Sequence, residues 1–185
     1  FSELLLNNMD SWNDEEKLNA AQIIFNSSTE LSALLENLLQ WSRNQRGMVN
    51  SQPSTIDAYP FVENQLQFFK YSLNEKGIVA KNNLPIQPIK LHTDPQLLDT
   101  IFRNLLGNAI KFTPKGGTIQ VDMEQNETMA VFCISDNGIG IPAEKLKHLF
   151  DIRDQKTTRG TNNEKGSGLG LILVKEFVEK QGGTI

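Results

Sequence analysis

Residues 15–46 contain neither glycine nor proline, and this uninterrupted stretch constrains the fold more than any other feature of the sequence. Apolar residues recur within it at helical spacing and form two neighbouring stripes. The first stripe holds Ile24, Leu31, Leu34, Leu38 and Trp41, and the second holds Leu18, Ala21, Phe25, Leu35 and Leu39. The pattern predicts one long helix with a broad apolar face, which Asp14 would cap and Gly47 would end.

A shorter helix is expected before the long one. Residues 1–9 have the pattern of the end of a helix, and residues 10–14 are a polar connector, so the two helices would form a hairpin. Such a wide apolar face needs a partner, because large exposed apolar patches are rare on soluble monomers. We expect the hairpin to self-associate into a four-helix bundle, and packing against the following domain is the alternative.

The rest of the chain mixes helix-like and strand-like segments. Residues 59–73 are helical in pattern, and Asp94-Pro95 opens a strong helix because aspartate caps helices and proline suits their first turn. Residues 118–123 alternate apolar with polar side chains and are expected to pair with residues 129–135 as an antiparallel hairpin. Within the second strand, Cys133 is interpreted as a small buried apolar residue.

The predicted fold class is therefore α+β. A helical hairpin occupies residues 1–46, a linker residues 47–54, and a two-layer α/β sandwich residues 55–185. The chain has no initiator methionine and ends in residues that resemble the start of a strand, so we expect it to be part of a longer protein.

Composition narrows the class of protein. With 38% hydrophobic residues and a net charge of −4, the chain is neither disordered nor basic enough to coat nucleic acid. One cysteine and two histidines exclude a disulfide framework and disfavour a Cys- or His-rich metal site. No apolar run reaches the roughly 18–20 residues needed to cross a bilayer, so we expect a cytoplasmic location without direct membrane contact, although the intact protein could carry a membrane anchor.

Three polar or glycine-rich clusters carry the candidate chemistry. Asn104, Asn108 and Lys111 are spaced to lie along one edge of the helix that begins after Asp94. They are either an ordinary solvated face or a set in which amide oxygens hold a hard cation such as Mg²⁺ and the lysine meets a phosphate.

The second cluster is Asp136-Asn137-Gly138-Ile139-Gly140, which follows a strand. Its aspartate could accept a hydrogen bond from an exocyclic amine, and its glycines let the backbone approach a ligand, although such a sequence is usually only a turn. The third cluster, residues 166–171, combines Gly166, Gly168 and Gly170 with the start of a helix, where backbone N–H groups can face phosphates. Neither glycine cluster fits the dinucleotide fingerprint or the P-loop.

Together the three clusters resemble the nucleotide-binding boxes of the GHKL family, which includes histidine kinases, gyrases, mismatch-repair ATPases and the large heat-shock chaperone. Residues 104–113 are similar to its N box, and the two glycine clusters to its first and second glycine boxes, in the same order and at similar spacing. Phe150 resembles the F-box phenylalanine. The resemblance implies that the α/β sandwich is of the GHKL ATPase type.

Two features point to one branch of that family. Gyrase-like hydrolases have a glutamate general base where this chain has Asn104, and a neutral amide cannot take a proton from water. The helical hairpin resembles the later part of a histidine kinase dimerisation and phosphotransfer domain. The chain is thus similar to a sensor histidine kinase of a two-component system, in which the phosphoacceptor would precede this segment. His92 and His148 are interpreted as structural or solvated residues.

The resemblance implies ATP and Mg²⁺ as ligands. Asp136 would bind the adenine amino group, Asn108 would ligate Mg²⁺, and Asn104 and Lys111 would contact phosphate. The remaining cofactor-binding residues would be Gly138, Gly140, Gly166, Gly168, Leu169 and Gly170. Residues 155–165 would form a lid in which Lys156, Arg159 or Lys165 could screen the γ-phosphate.

The implied activity is transfer of the γ-phosphoryl group of ATP to a histidine and then to an aspartate of a response regulator. The implied partners are a second copy of the chain, bound through the helical hairpin, and the receiver domain of that regulator, with no nucleic acid. On its own this segment would not phosphorylate itself. The alternatives are a GHKL serine kinase of the anti-sigma type and a non-catalytic nucleotide-sensing dimerisation module.

Overall fold

The computed structural model describes residues 2–7, 11–45, 51–126, 128–151, 158–162, 164 and 168–185. The chain divides into two compact units, which comprise residues 1–46 and 47–185. A search of the helices in the described ranges found none with the length and apolar character needed to cross a bilayer.

The first unit contains helices α1 (Ser2–Asn7) and α2 (Asp14–Gln45), which contact each other. The prediction that Asp14 caps α2 is wrong, because Asn13 does so. The side-chain oxygen of Asn13 accepts from the Glu16 backbone N–H at 2.9 Å, and the Glu16 carboxylate accepts from the Asn13 N–H at 2.9 Å. This reciprocal pair is a capping box, and it leaves Asp14 as the first helical residue, where a negative charge suits the helix dipole.

Helix α2 carries large apolar side chains on its surface. Five of them are between 49% and 70% exposed: Leu18, Phe25, Leu31, Leu35 and Leu39. Within residues 1–46, about half or more of the surface of each of these side chains therefore remains in contact with water, and burial would remove it from water.

The second unit contains two small sheets. Strand β1 (Ser54–Asp57) pairs antiparallel with β3 (Lys90–Thr93). In the other sheet β2 (Val79–Asn82) runs parallel to β4 (Thr118–Gln125), which pairs antiparallel with β5 (Ala130–Asp136). The strand order is β2–β4–β5, so β4 is central, and its Ile119 and Val121 are fully buried.

Helices α3 (Ala58–Phe68) and α5 (Pro95–Phe112) pack against these sheets. The other helices of the described residues in this unit are α4 (Lys70–Lys76), α6 (Ala143–Leu146) and α7 (Gly170–Lys180). The buried face of α5 packs into the core through residues at helical spacing: Leu98, Phe102, Leu106, Ala109 and Ile110. Helix α7 packs beside α5, and the Gln181 side-chain oxygen, just after α7, accepts from the Asp94 N–H at the start of α5 at 3.2 Å.

The first turn of α5 is capped by Asp94, as the sequence predicts. Oδ1 accepts from the N–H groups of Gln96 and Leu97 at 2.9 and 3.2 Å, and Oδ2 accepts from the Gln52 N–H at 2.7 Å. Burial by itself raises the pKa of this carboxyl, but the bonds from Gln52, Leu97 and Gln96 favour its charged form and hold the pKa below its ordinary value.

Three local predictions need correction. The predicted helix over residues 59–73 is divided at Phe69 into α3 and α4, and the unpredicted strand β1 begins at Ser54, inside the predicted linker. Cys133 is exposed rather than buried. In a strand, alternate residues face opposite sides, and because the flanking Phe132 and Ile134 pack against the core, Cys133 faces away from it.

Candidate functional site

The polar edge of α5 meets the start of α7 at Asn104. The Asn104 side-chain N–H donates to the Thr100 carbonyl at 2.8 Å, which fixes the amide on the helix surface. A Cβ on Gly170 would lie 2.5 Å from the Asn104 side-chain oxygen. A larger residue at position 170 would displace the Asn104 side chain, so the structure brings the predicted N box and second glycine box into contact.

Asn108 and Lys111 lie on the next two turns of the same helix, and both are half-buried. Within the described part of the chain, the Asn108 side chain makes no hydrogen bond, so its amide oxygen is available to a ligand. The Lys111 ammonium lies 4.9 Å from the centroid of the Phe112 ring. These side chains place a neutral oxygen ligand and a positive charge one turn apart.

The first glycine cluster is held against the C-terminal end of α5. The Ile139 N–H donates to the Phe112 carbonyl at 3.2 Å, and a Cβ on Gly138 would lie 2.5 Å from that same carbonyl oxygen. Asp136 is the last residue of β5, and its exposed carboxylate accepts from the Gly138 N–H at 2.8 Å. The sheet and α5 therefore fix the aspartate and the turn that follows it.

The other predicted glycines lie in turns. Gly140 and Gly168 have φ angles of +68° and +75°, in the region that glycine adopts most easily, and no atom lies within 4 Å of where a Cβ on Gly140 would be. Leu169 immediately precedes α7 and its carbonyl accepts from the Leu173 N–H at 3.1 Å. Gly166 lies outside the described residues.

The side chain of Lys76 is heavily bonded near this site, and the sequence does not predict it. Lys76, at the end of α4, is only 5% exposed, and its ammonium contacts two carbonyls of α5. The distances are 2.8 Å to the Ile110 oxygen and 3.1 Å to the Lys111 oxygen. The same ammonium donates to Thr161 Oγ1 at 2.9 Å and pairs with the Glu164 carboxylate at 2.7 Å. In the sequence Lys76 is one of many lysines, and no local pattern distinguishes it from a solvated one.

The segment that contains Thr161 and Glu164 belongs to the predicted lid. Burial raises the pKa of the Glu164 carboxyl, but its bonds with the Lys76 ammonium and the Asn162 N–H outweigh this effect and lower the pKa below its ordinary value. Of the predicted lid cations, Arg159 is exposed, and Lys156 and Lys165 lie outside the described residues.

The two histidines and the predicted F-box residue lie in ordinary environments. His92 is exposed on β3, and the exposed His148 pairs with Asp151 at 3.0 Å. Phe150 is half-buried. In the described ranges, no group of three or more histidine, cysteine, aspartate or glutamate residues could hold a metal ion. A divalent cation at this site would therefore take most of its ligands from a bound anion or water.

Comparison with known proteins places this arrangement in a family. Residues 93–185, about half of the chain, match the family described as histidine kinase-, DNA gyrase B- and HSP90-like ATPase. The chain belongs to this family. The match contains the polar edge of α5 and both glycine clusters, and it supports ATP as the ligand of the domain.

Relatives of the chain include sensor kinases. LuxQ of Vibrio vulnificus (strain YJ016), an autoinducer 2 sensor kinase/phosphatase, is 33% identical over 182 residues, which cover 95% of this chain and 21% of LuxQ. The chain therefore spans about a fifth of that relative's length. This likeness confirms the predicted resemblance to sensor histidine kinases and gives no support to the serine-kinase alternative.

Solved structures share the fold. The histidine kinase AdeS of Acinetobacter baumannii matches with a TM-score of 0.69 and 22% identity, over 95% of this chain and 79% of AdeS. The histidine kinase ThkA, in its complex with the response regulator TrrA, matches with a TM-score of 0.70 and 17% identity, over 98% of this chain and 50% of ThkA. The predicted α+β fold class, with a domain of the GHKL ATPase type, is therefore confirmed.

Proposed function

We propose that this chain is the nucleotide-binding kinase portion of a sensor histidine kinase and that it binds Mg-ATP beside the C-terminal half of α5. The observation that carries the proposal is the convergence of three separate segments there: Gly170 abuts Asn104, and Gly138 and Ile139 abut Phe112. Family membership supports ATP as the nucleotide.

The adenine end of the nucleotide would lie at the end of β5. The exposed Asp136 carboxylate accepts a bond from Gly138 and has further lone pairs with which to accept from the adenine amino group. The turn at Gly140 leaves the backbone open to close approach by the nucleotide. The phosphate end would lie toward Asn104, Lys111 and the glycines before α7, where a helix N-terminus favours negative charge.

The residues of this site fit Mg²⁺ only if the phosphates of the nucleotide and water supply most of its ligands. Mg²⁺ prefers oxygen ligands and commonly takes one or two from the protein and the rest from phosphate and water. The Asn108 amide oxygen suits this role, because it is half-buried and has no hydrogen-bond partner within the described residues. When bound, the cation would neutralise charge on the phosphates.

The proposed reaction is phosphoryl transfer to histidine. An imidazole nitrogen of the acceptor forms a bond to the γ-phosphorus as the bond from that phosphorus to the bridging oxygen breaks, which releases ADP, and the imidazole loses its N–H proton to solvent. A carboxylate oxygen of a response regulator then bonds to the same phosphorus as the N–P bond breaks, and the imidazole takes a proton back from solvent. The complex of the similar kinase ThkA with the regulator TrrA supports a regulator of this kind as partner.

We further propose that residues 1–46 dimerise and that residues 47–53, which precede β1, link them to the catalytic domain. The support is the exposed apolar surface of α2, to which Leu31 and Leu35 contribute at 59% and 49% exposure. Sedimentation equilibrium would then give twice the chain mass of 20.8 kDa. A mass of 20.8 kDa at all concentrations would contradict the proposal.

This segment alone is not expected to phosphorylate itself. Neither of its histidines is followed by an acidic residue: Thr93 follows His92, and Leu149 follows His148. Incubation with ATP labelled in its γ-phosphate should leave the chain unlabelled. Stable label on either histidine would show that the acceptor assignment is wrong.

Calorimetric titration with ATP, with and without Mg²⁺, tests the nucleotide site. We expect saturable one-site binding that Mg²⁺ strengthens. We expect Asp136→Asn to abolish it, because the one amide oxygen keeps the bond from the Gly138 N–H and the N–H₂ that replaces the other oxygen cannot accept from the adenine amine. Asp122→Asn is the matched control, since it makes the same change on the neighbouring strand β4. Binding by Asp136→Asn within twofold of the parent would refute the adenine assignment.

A further inference from the structure

The C-terminal end of α5 is bonded almost entirely by residues that are distant in sequence. Helix ends leave carbonyl groups without partners inside the helix, and these groups must find donors elsewhere. Here the Ile110 and Lys111 carbonyls accept from Lys76, and the Lys111 carbonyl also accepts from the Thr161 N–H at 3.0 Å and from Thr161 Oγ1 at 3.1 Å. Thr161 Oγ1 lies 2.9 Å from the Thr113 carbonyl as well.

Lys76 is the centre of this arrangement. Burial of an ammonium group is costly unless acceptors and a counter-charge replace its water, and Lys76 has three neutral acceptors and one carboxylate. Its charge partner Glu164 comes from the segment between the two glycine clusters. The ammonium therefore joins that segment to the end of α5.

Hydrogen bonds within the segment also fix the position of Glu164. The second carboxylate oxygen of Glu164 accepts from the Asn162 N–H at 2.8 Å, and the Glu164 carbonyl accepts from the Gly160 N–H at 2.9 Å. Residues 160–162 and 164 thus form a tight turn whose carboxylate is held by Lys76. Movement of Glu164 would displace the whole turn.

This turn lies against the side chain of Lys111. A Cβ on Gly160 would be only 2.5 Å from Lys111 Cγ and 2.8 Å from the Lys111 carbonyl oxygen. The contact restricts the aliphatic stem of Lys111, which the proposed function assigns to phosphate. The direction in which the Lys111 ammonium points therefore depends on the position of the turn.

We propose that Lys76 and Glu164 are a positioning pair that fixes residues 160–162 and Glu164 against the end of α5 and so orients Lys111 toward the phosphates of the nucleotide. This inference rests on the proposed function. It assigns no direct contact with the nucleotide to Lys76 or Glu164. The pair acts on the phosphate end of the site, while the adenine end depends on Asp136 and the β5 strand.

Binding of two ligands that differ only in phosphate tests the proposal. We expect Lys76→Met to weaken ATP binding at least tenfold in calorimetry and to leave adenosine binding, followed by NMR chemical-shift changes, within twofold of the parent. Lys90→Met is the control: Lys90 also pairs with a carboxylate, that of Asp57 at 3.1 Å, but it is 62% exposed. This control should bind both ligands as the parent does.

Two results of this binding test would overturn the positioning role. Unchanged ATP affinity in Lys76→Met would do so, and so would an equal loss of ATP and adenosine affinity, which indicates general damage to the domain. If Lys76→Met does not fold, Glu164→Gln makes the same test, because Glu164 is 33% exposed and the change keeps its size. We expect Glu164→Gln to weaken ATP binding at least threefold with adenosine binding unchanged.

Hydrogen exchange without nucleotide separates this inference from the proposed function. We expect the Thr161 amide to exchange at least tenfold faster in Lys76→Met, while in Lys90→Met it keeps the rate of the parent. Failure of the parent to bind ATP would refute the proposed function. Unchanged exchange at Thr161 would refute the positioning pair whatever the parent binds.

Discussion

The two ends of helix α5 are closed in different ways. At the N-terminal end, one carboxylate, that of Asp94, accepts from the first-turn N–H groups of Gln96 and Leu97 and from Gln52. At the C-terminal end, the carbonyls accept from Lys76 on α4, from Thr161 and from Ile139. Local residues supply most of the first set of bonds, whereas separate segments of the chain supply the second.

This difference indicates which end can respond to a ligand. A cap made by neighbouring residues forms with the helix and depends little on the rest of the domain. An end tied to the segment that contains Thr161 and to the first glycine cluster is bound to both loops of the proposed nucleotide site. A change in either loop therefore reaches the residues of the N box through the bonds that its backbone and the Lys76 side chain make to the end of α5.

Removal of Lys76 should have the largest effect on stability. Lys76→Met would leave the Ile110 carbonyl without its donor and Glu164 without its counter-charge, and we expect the free energy of unfolding to fall by about 3 kcal/mol. Native-state hydrogen exchange at the β4 amides is the suitable measurement. Both tryptophans, Trp12 and Trp41, lie in residues 1–46, so their fluorescence reports on the other unit.

The ion pair of Lys90 and Asp57 provides the scale for that change. Lys90 is 62% exposed and Asp57 is 23% exposed, so water reaches the pair. Such pairs contribute about 0–1 kcal/mol, and Lys90→Met should lower the free energy of unfolding by less than about 1 kcal/mol. Equal losses in Lys76→Met and Lys90→Met would mean that the C-terminal end of α5 does not depend on its buried cation.

Changes to Asp94 should have a smaller effect than the loss of Lys76. We expect Asp94→Ala to lower the free energy of unfolding by about 2 kcal/mol, because it removes the helix cap and the bond to Gln52 together. Asp94→Asn keeps one oxygen for the cap but replaces the other with a donor, so it should lose about 1 kcal/mol. The same hydrogen-exchange measurement tests both variants, and equal losses would show that the cap bonds from Gln96 and Leu97 contribute nothing.

The sequence predicts the N-terminal end of α5 well because its signals are local. Aspartate before proline indicates a cap and a first turn without any knowledge of the tertiary structure. The hairpin of β4 and β5 is predicted for the same reason, since two alternating segments flank a short connection. Strand β1 is missed because its four residues are stabilised by pairing with β3, more than thirty positions away.

The candidate site is predictable only in part. The polar spacing on α5 and the two glycine clusters can be recognised as motifs, and the structure brings Gly170 to Asn104 and Gly138 to Phe112. Lys76 and Glu164 carry no such signal, because their roles come from a contact across 88 positions of the chain. Residues whose function depends on burial by distant segments cannot be distinguished in the sequence from solvated residues of the same type.

Acid should affect the two ends of α5 alike, and this is the smallest effect that we predict. The folded-state pKa values of Asp94 and Glu164 both lie below their ordinary values, so near pH 4 the unfolded chain binds more protons than the folded chain does. The contribution of each carboxylate is therefore fully present at neutral pH and is lost as the pH falls through its lowered pKa. At a pH equal to the ordinary pKa, where half of the unfolded chains carry the proton, each group has lost at most about 0.4 kcal/mol.

Hydrogen exchange at pH 7, 5 and 4 should show this decline in the parent, with a shallower slope in Glu164→Gln and in Asp94→Asn. A slope that neither variant changes would mean that other carboxylates cause the acid sensitivity and that neither end of α5 depends on the charge of its carboxylate.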